Sequence, residues 1–123
     1  LLKIRKNVFK IYNKFFKNFP YLTLMPQNRW SENSYWLYTL IINNIGQKKR
    51  DKLIFNLQKF GIESRPGFYS LSKMQPFKKY AKGKFYNSNY LSENSISLPT
   101  TNLSQKDQVY IINKFLDEYK KIK

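Results

Sequence analysis

The chain has 123 residues, of which 41% are hydrophobic and 18% aromatic, so it holds one domain with a packed core and not two. It contains no cysteine and no histidine, which excludes disulfides, thiol nucleophiles, imidazole or thiolate metal sites and every Ser-His-Asp or Cys-His arrangement. The net charge of +16 would suit a nucleic-acid partner, but the lysines run through every segment beside abundant Asn, Ile, Tyr and Phe and a single alanine, Ala81. That pattern reads as residue bias from an AT-rich genome and makes nucleic acid the lesser reading.

Residues 4–19 place Ile4, Val8, Ile11, Tyr12, Phe15 and Phe19 at helical spacing between lysines and asparagines, which predicts an amphipathic helix closed by Pro20. Residues 21–25 read as a short extended piece, and residues 27–33 as a polar turn. The aromatic and β-branched run over residues 35–42 lacks alternation, as expected of a central strand covered on both faces. Residues 48–60 form the next helix, with Leu53, Ile54, Leu57 and Phe60 on one face and Asp51 in its first turn, where a negative charge suits the macrodipole. Gly61 is its C′ residue, beyond which Ile62 packs back on the last turn.

Residues 62–65 predict a second strand, stopped by Pro66 and Gly67. Residues 68–84 show no period and read as a loop with one short helix near residues 77–80; a loop this long in a compact domain is usually functional. Residues 87–94 predict a short helix, residues 95–98 a short strand and residues 99–102 a turn. Ser104 and Asp107 have capping-box spacing at the head of a final helix with Val109, Ile112, Leu116 and Tyr119 as its buried stripe. The expected fold is α+β over residues 1–123, a small, mostly antiparallel sheet backed by helices.

No pair of carboxylates suits acid–base chemistry, since Asp107, Asp117 and Glu118 sit among lysines as a solvated helix face and Glu63 points outward from a strand. Catalytic and metal-ligating residues are therefore expected to be none within this chain. The loop after the second strand differs in kind. Arg65, Tyr69, Ser70, Ser72 and Lys73 gather a guanidinium, a phenol, two hydroxyls and an ammonium, groups that suit a phosphorylated, hydroxyl-rich ligand. The alternative is a surface loop whose aromatics only cover the sheet.

Six segments resemble, in order, the C-terminal region of the DegT-type sugar aminotransferases, a fold-type-I family that uses pyridoxal phosphate. Arg5 through Tyr12 is similar to its R-x-x-x-x-x-x-Y helix, and residues 34–38 (Ser-Tyr-Trp-Leu-Tyr) to its aromatic strand. Residues 50–57 resemble the helix that follows, and residues 61–66 (Gly-Ile-Glu-Ser-Arg-Pro) its G-I-E-T-R-P signature. Residues 68–77 are similar to the F-Y-P-L-x-x-M-P-P-Y loop, and residues 91–100 to the L-S-E-x-x-I-x-L-P-S segment. Departures are Ser70 for proline, Phe77 for tyrosine, and Ser72 where many members carry histidine; a serine there is similar to the perosamine-synthase-like branch.

The resemblance implies a small C-terminal domain entered by the helix of residues 1–19 from a large domain that this chain lacks. That large domain would hold the pyridoxal phosphate and its lysine, so no cofactor-binding residue is expected here and the chain alone would be inactive. It further implies transfer of an amino group from glutamate to a nucleotide-linked keto-sugar in glycan or O-antigen precursor synthesis. A homodimer is implied, with Arg65, Phe68, Tyr69, Ser72 and Lys73 as one substrate-binding wall. The opening segment lacks the apolar core of a secretory signal and no apolar run would span a bilayer, so a cytoplasmic, membrane-free enzyme whose sequence extends upstream is expected. The competing class is a small basic module that holds single-stranded nucleic acid by stacking and charge.

Overall fold

A computed structural model describes residues 1–123. The elements are α1 (Leu2–Phe16), β1 (Leu22–Thr23), β2 (Tyr38–Ile42), α2 (Gln47–Gln58), β3 (Arg65–Pro66), a 3₁₀ turn (Leu71–Lys73), α3 (Gln75–Lys78), α4 (Tyr86–Asn94), β4 (Ser95–Leu98) and α5 (Gln105–Ile122). The strands form one sheet in the order β1-β2-β4-β3 with every pairing antiparallel. The architecture is thus the expected α+β sheet backed by helices. No helix is long and apolar enough to cross a membrane.

The helical faces are rotated from those the spacing suggests. In α1 the buried residues are Val8, Phe9, Tyr12 and Phe16, whereas Ile4 and Phe15 are exposed. The helix also stops at Phe16, four residues before Pro20. The aromatic cluster dictates this choice: Phe9 meets Tyr38 edge-on at 5.1 Å, Tyr12 lies 4.7 Å from Tyr38, and Phe16 meets Phe115 at 5.3 Å. Ring pairs of this kind add about 0.5–1.5 kcal/mol beyond area burial.

The aromatic strand is shorter than its sequence run. Tyr35 takes a left-handed φ of 53°, Trp36 is exposed, and pairing begins at Tyr38. Tyr38, Leu40 and Ile42 are buried while Thr39 and Ile41 are half-buried, so the strand alternates and is not equally covered on both faces. The buried face joins one core with Ile96 and Leu98 of β4, Leu53 and Leu57 of α2, and Ile112 and Phe115 of α5. On the opposite face a Thr39–Ser97 hydroxyl pair at 2.8 Å spans β2 and β4.

The end of α2 follows the glycine signal. Gly61 has φ 73°, its N–H donates to Gln58 O, and the Ile62 N–H donates to Leu57 O, which is the Schellman closure. Ile62 is buried beside Leu57. Residues 62–64 make no strand pairing; only Arg65 and Pro66 pair, opposite Ser97 and Ile96, as an edge strand that tolerates proline. In α5 the capping box forms, and the buried stripe is Gln108, Ile111, Ile112, Phe115, Glu118, Tyr119 and Ile122, with Val109 and Leu116 only half-buried. Glu118 is therefore not on a solvated face: its carboxylate accepts from Asn56 Nδ2 at 3.1 Å and Lys121 Nζ at 2.5 Å, which ties α5 to α2.

Candidate functional site

The edge strand β3 delivers Arg65 to the rim of the sheet. Its guanidinium donates to the Glu63 carboxylate through Nη2 at 2.5 Å and Nε at 3.2 Å, and both side chains are largely exposed. Such an exposed pair contributes little to stability and leaves the guanidinium available to another anion. Gly67 follows, buried against β4, where its N–H donates to Ser95 O at 3.1 Å. A Cβ at Gly67 would stand 1.8 Å from Ser95 Oγ, so close approach, not a positive φ, requires glycine here.

Beyond Gly67 the chain turns outward. Phe68 and Tyr69 are exposed, and Phe68 lies 6.3 Å from the exposed ring of Trp36. These side chains with Arg65, Leu71 and Met74 line a mostly apolar groove of about 680 Å³. The groove has the composition of a ligand site: apolar walls with a few polar groups at the rim.

Ser72 and Lys73 face elsewhere. Ser72 Oγ shares a 2.7 Å hydrogen bond with Ser70 Oγ, which also accepts from Ser88 Oγ at 2.9 Å. Lys73 Nζ donates to Glu93 at 2.5 Å. Both line a second hollow of about 430 Å³ with Lys78, Lys84, Tyr86 and Asn89. A third cleft of about 400 Å³, which Tyr69 and Ser72 share with Phe77, Tyr80 and Phe85, lies between the two. The five residues therefore divide into Arg65, Phe68 and Tyr69 at an apolar groove and Ser72 and Lys73 at a lysine-lined one. Between Glu63 and Glu93 the chain carries Arg65, Lys73, Lys78, Lys79, Lys82 and Lys84 and no carboxylate, and of these cations Arg65 and Lys73 are ion-paired, each to one of the two bounding glutamates.

Sequence alone does not mark two residues here: Trp36, which lines the groove, and Arg50, which bonds the same Ser95 carbonyl as Gly67. Trp36 hides inside an aromatic run that predicts burial, although a strand that starts at Tyr38 leaves it outside. Arg50 opens the segment of residues 50–57 with no feature of its own that singles it out in sequence, yet it is 1% exposed. Its Nη1 donates to Ser92 O and Ser95 O, each at 2.9 Å, and its Nε donates to Asp51 at 2.6 Å. Asp51 thus serves the guanidinium and lies outside the first turn of α2. The signal for Arg50 was its place in register with Leu53 and Leu57 on the buried face of α2.

A pyridoxal phosphate site needs a lysine amine in a shielded pocket and donors around the phosphate. No lysine of this chain is buried, and the one buried cation, Arg50, is occupied by carbonyls and a carboxylate. These residues do not by themselves make that site.

The family model described as the DegT/DnrJ/EryC1/StrS aminotransferase family matches residues 1–116. The GDP-perosamine synthase of Vibrio cholerae is 28% identical over 120 residues, which are 97% of this chain and 32% of that protein. A Streptococcus pneumoniae protein described as a sugar aminotransferase, Spr1654, solved with its cofactor in the PMP form, superposes with a TM-score of 0.90 at 25% identity, over 100% of this chain and 32% of its own. PseC of Helicobacter pylori, an aminotransferase of pseudoaminic acid biosynthesis, shares the fold with a TM-score of 0.85 at 20% identity, over 98% of this chain and 33% of its own. The chain spans about a third of the length of these relatives.

Proposed function

This chain belongs to the DegT/DnrJ/EryC1/StrS aminotransferase family, and from that premise we propose that it forms the small-domain portion of a pyridoxal-phosphate-dependent aminotransferase acting on a nucleotide-linked keto-sugar. Glutamate is the amino donor, and the sugar is of the kind a perosamine-synthase-like enzyme takes. In this reading α1 leads in from a large domain that carries the cofactor and its lysine, and the complete enzyme is a cytoplasmic homodimer. The cofactor supplies the electron sink for amino transfer; this chain supplies one wall of the cleft.

The observation that carries the reading is the groove beside β3, where a largely exposed guanidinium stands at the rim of an apolar hollow walled by Trp36, Phe68 and Tyr69. Arg65 exchanges Glu63 for a phosphate or carboxylate of the substrate, which a guanidinium grips bidentately. Phe68 packs on a sugar or base face, and the Tyr69 phenol orients sugar hydroxyls. Ser72 and Lys73 extend the wall toward the lysine-lined hollow, with the ammonium facing the anionic part of the nucleotide.

The test is Arg65→Ala in the complete polypeptide, assayed on both half-reactions. The KM for the nucleotide-sugar should rise by roughly tenfold or more, as expected when a charge-assisted contact is lost, while the glutamate half-reaction and the melting temperature stay put. Unchanged sugar kinetics would remove Arg65 from the site.

A further inference from the structure

We propose that Arg50, which touches no part of the groove, is a positioning residue for the loop of residues 67–73. The inference rests on the reading of that loop as a substrate wall. A buried guanidinium is costly unless its N–H groups are satisfied, and an apolar residue in register with Leu53 and Leu57 would pack the same space without that cost. The arginine is therefore expected to do something a hydrocarbon could not.

Its bonds converge on one junction. Ser92 O and Ser95 O lie where α4 ends and β4 begins, a place where helix carbonyls lack intrahelical partners. Arg50 Nη1 takes both, at 2.9 Å each. The Ser95 oxygen has a second lone pair, and that one accepts the Gly67 N–H at 3.1 Å. A single carbonyl thus joins the guanidinium to the first residue of the loop, one position before Phe68.

The rest of the loop leans on the same helix. Ser88 of α4 donates to Ser70, and Glu93 of α4 accepts from Lys73. Helix α4 holds the loop at its middle and end, the first residue of β4 holds its start, and Arg50 locks the junction between the two. Loosening Arg50 releases the loop's first anchor, and with it the placement of Phe68 and Tyr69.

The experiment uses the complete polypeptide with Arg50→Lys, and with Asp51→Ala as a milder change at a half-exposed partner. Lysine keeps the charge but lacks the rigid fork that holds Asp51 and two carbonyls at once. Hydrogen exchange at the Gly67 amide should quicken by roughly tenfold in both variants, and the nucleotide-sugar KM should rise by a similar factor with the glutamate KM unchanged. A merely structural arginine would raise both constants or neither. Should Arg50→Lys fail to fold, Asp51→Ala alone decides. Parental exchange at Gly67 with a parental sugar KM overturns the proposal. An unsubstituted enzyme that transaminates no nucleotide-linked keto-sugar would overturn the reading of function instead, with the exchange result still deciding the Arg50 linkage.

Discussion

At the scale of single residues, the interior is organised by polar atoms set among apolar ones. Tyr12 donates from its hydroxyl to Pro99 O at 2.9 Å, and Tyr38 to Asn13 Oδ1 at 2.8 Å. Burial pushes both phenols well above their ordinary range. The unfolded chain ionises these groups near pH 10, where the folded chain still holds their protons. Stability from this source is complete below that pH and falls as pH rises further, at about 1.4 kcal/mol per pH unit for each phenol. Melting curves collected from neutrality into alkali should show that fall, and Tyr12→Phe should remove its share and leave that of Tyr38, while lowering neutral stability by about 1 kcal/mol for the lost hydrogen bond. A slope unaltered by the substitution would mean that Tyr12 ionises freely.

At the scale of elements, caps and junctions decide where chain segments end. The capping box of α5 has the Asp107 N–H donating to Ser104 Oγ at 3.2 Å, while the Ser104 N–H and hydroxyl donate to Asp107 Oδ2. Those donations from Ser104, the hydroxyl first, hold the Asp107 carboxyl below its usual range. A depressed carboxyl stabilises the fold above its unfolded pKa, and that contribution disappears as pH falls through the folded value. Ser104→Ala should cost about 1 kcal/mol of stability near neutrality and weaken the acid dependence of melting; an undiminished acid limb would locate that dependence in other carboxylates.

The same logic explains which element boundaries were legible. Gly61, Ser104 and Asp107 act through contacts a few residues away, so sequence alone places the ends of α2 and α5. The rotated faces of α1 and α5 were not legible, because Phe9, Phe16 and Phe115 are chosen by rings on other elements. Periodicity cannot rank two apolar stripes without knowing what each will meet.

At the scale of the whole molecule, the chain spans about a third of its relatives and buries no lysine. Residues 1–123 alone should therefore show no saturable uptake of pyridoxal phosphate in an absorbance titration, whereas the complete polypeptide should bind it. Saturable uptake by residues 1–123 alone would overturn the proposed assignment of the cofactor to a domain outside them. By itself the sequence determined the α+β class, the C-terminal cap of α2, the capping box of α5 and the family resemblance, because these depend on local spacing and on motifs that are contiguous in the chain. Only the tertiary structure decided that Arg65 and Tyr69 share a groove with Trp36, that Ser72 and Lys73 line another, and that a buried Arg50 shares the Ser95 carbonyl with Gly67. Those relations join residues tens of positions apart through one sheet edge and one carbonyl oxygen, and such pairings exist only once the core has closed.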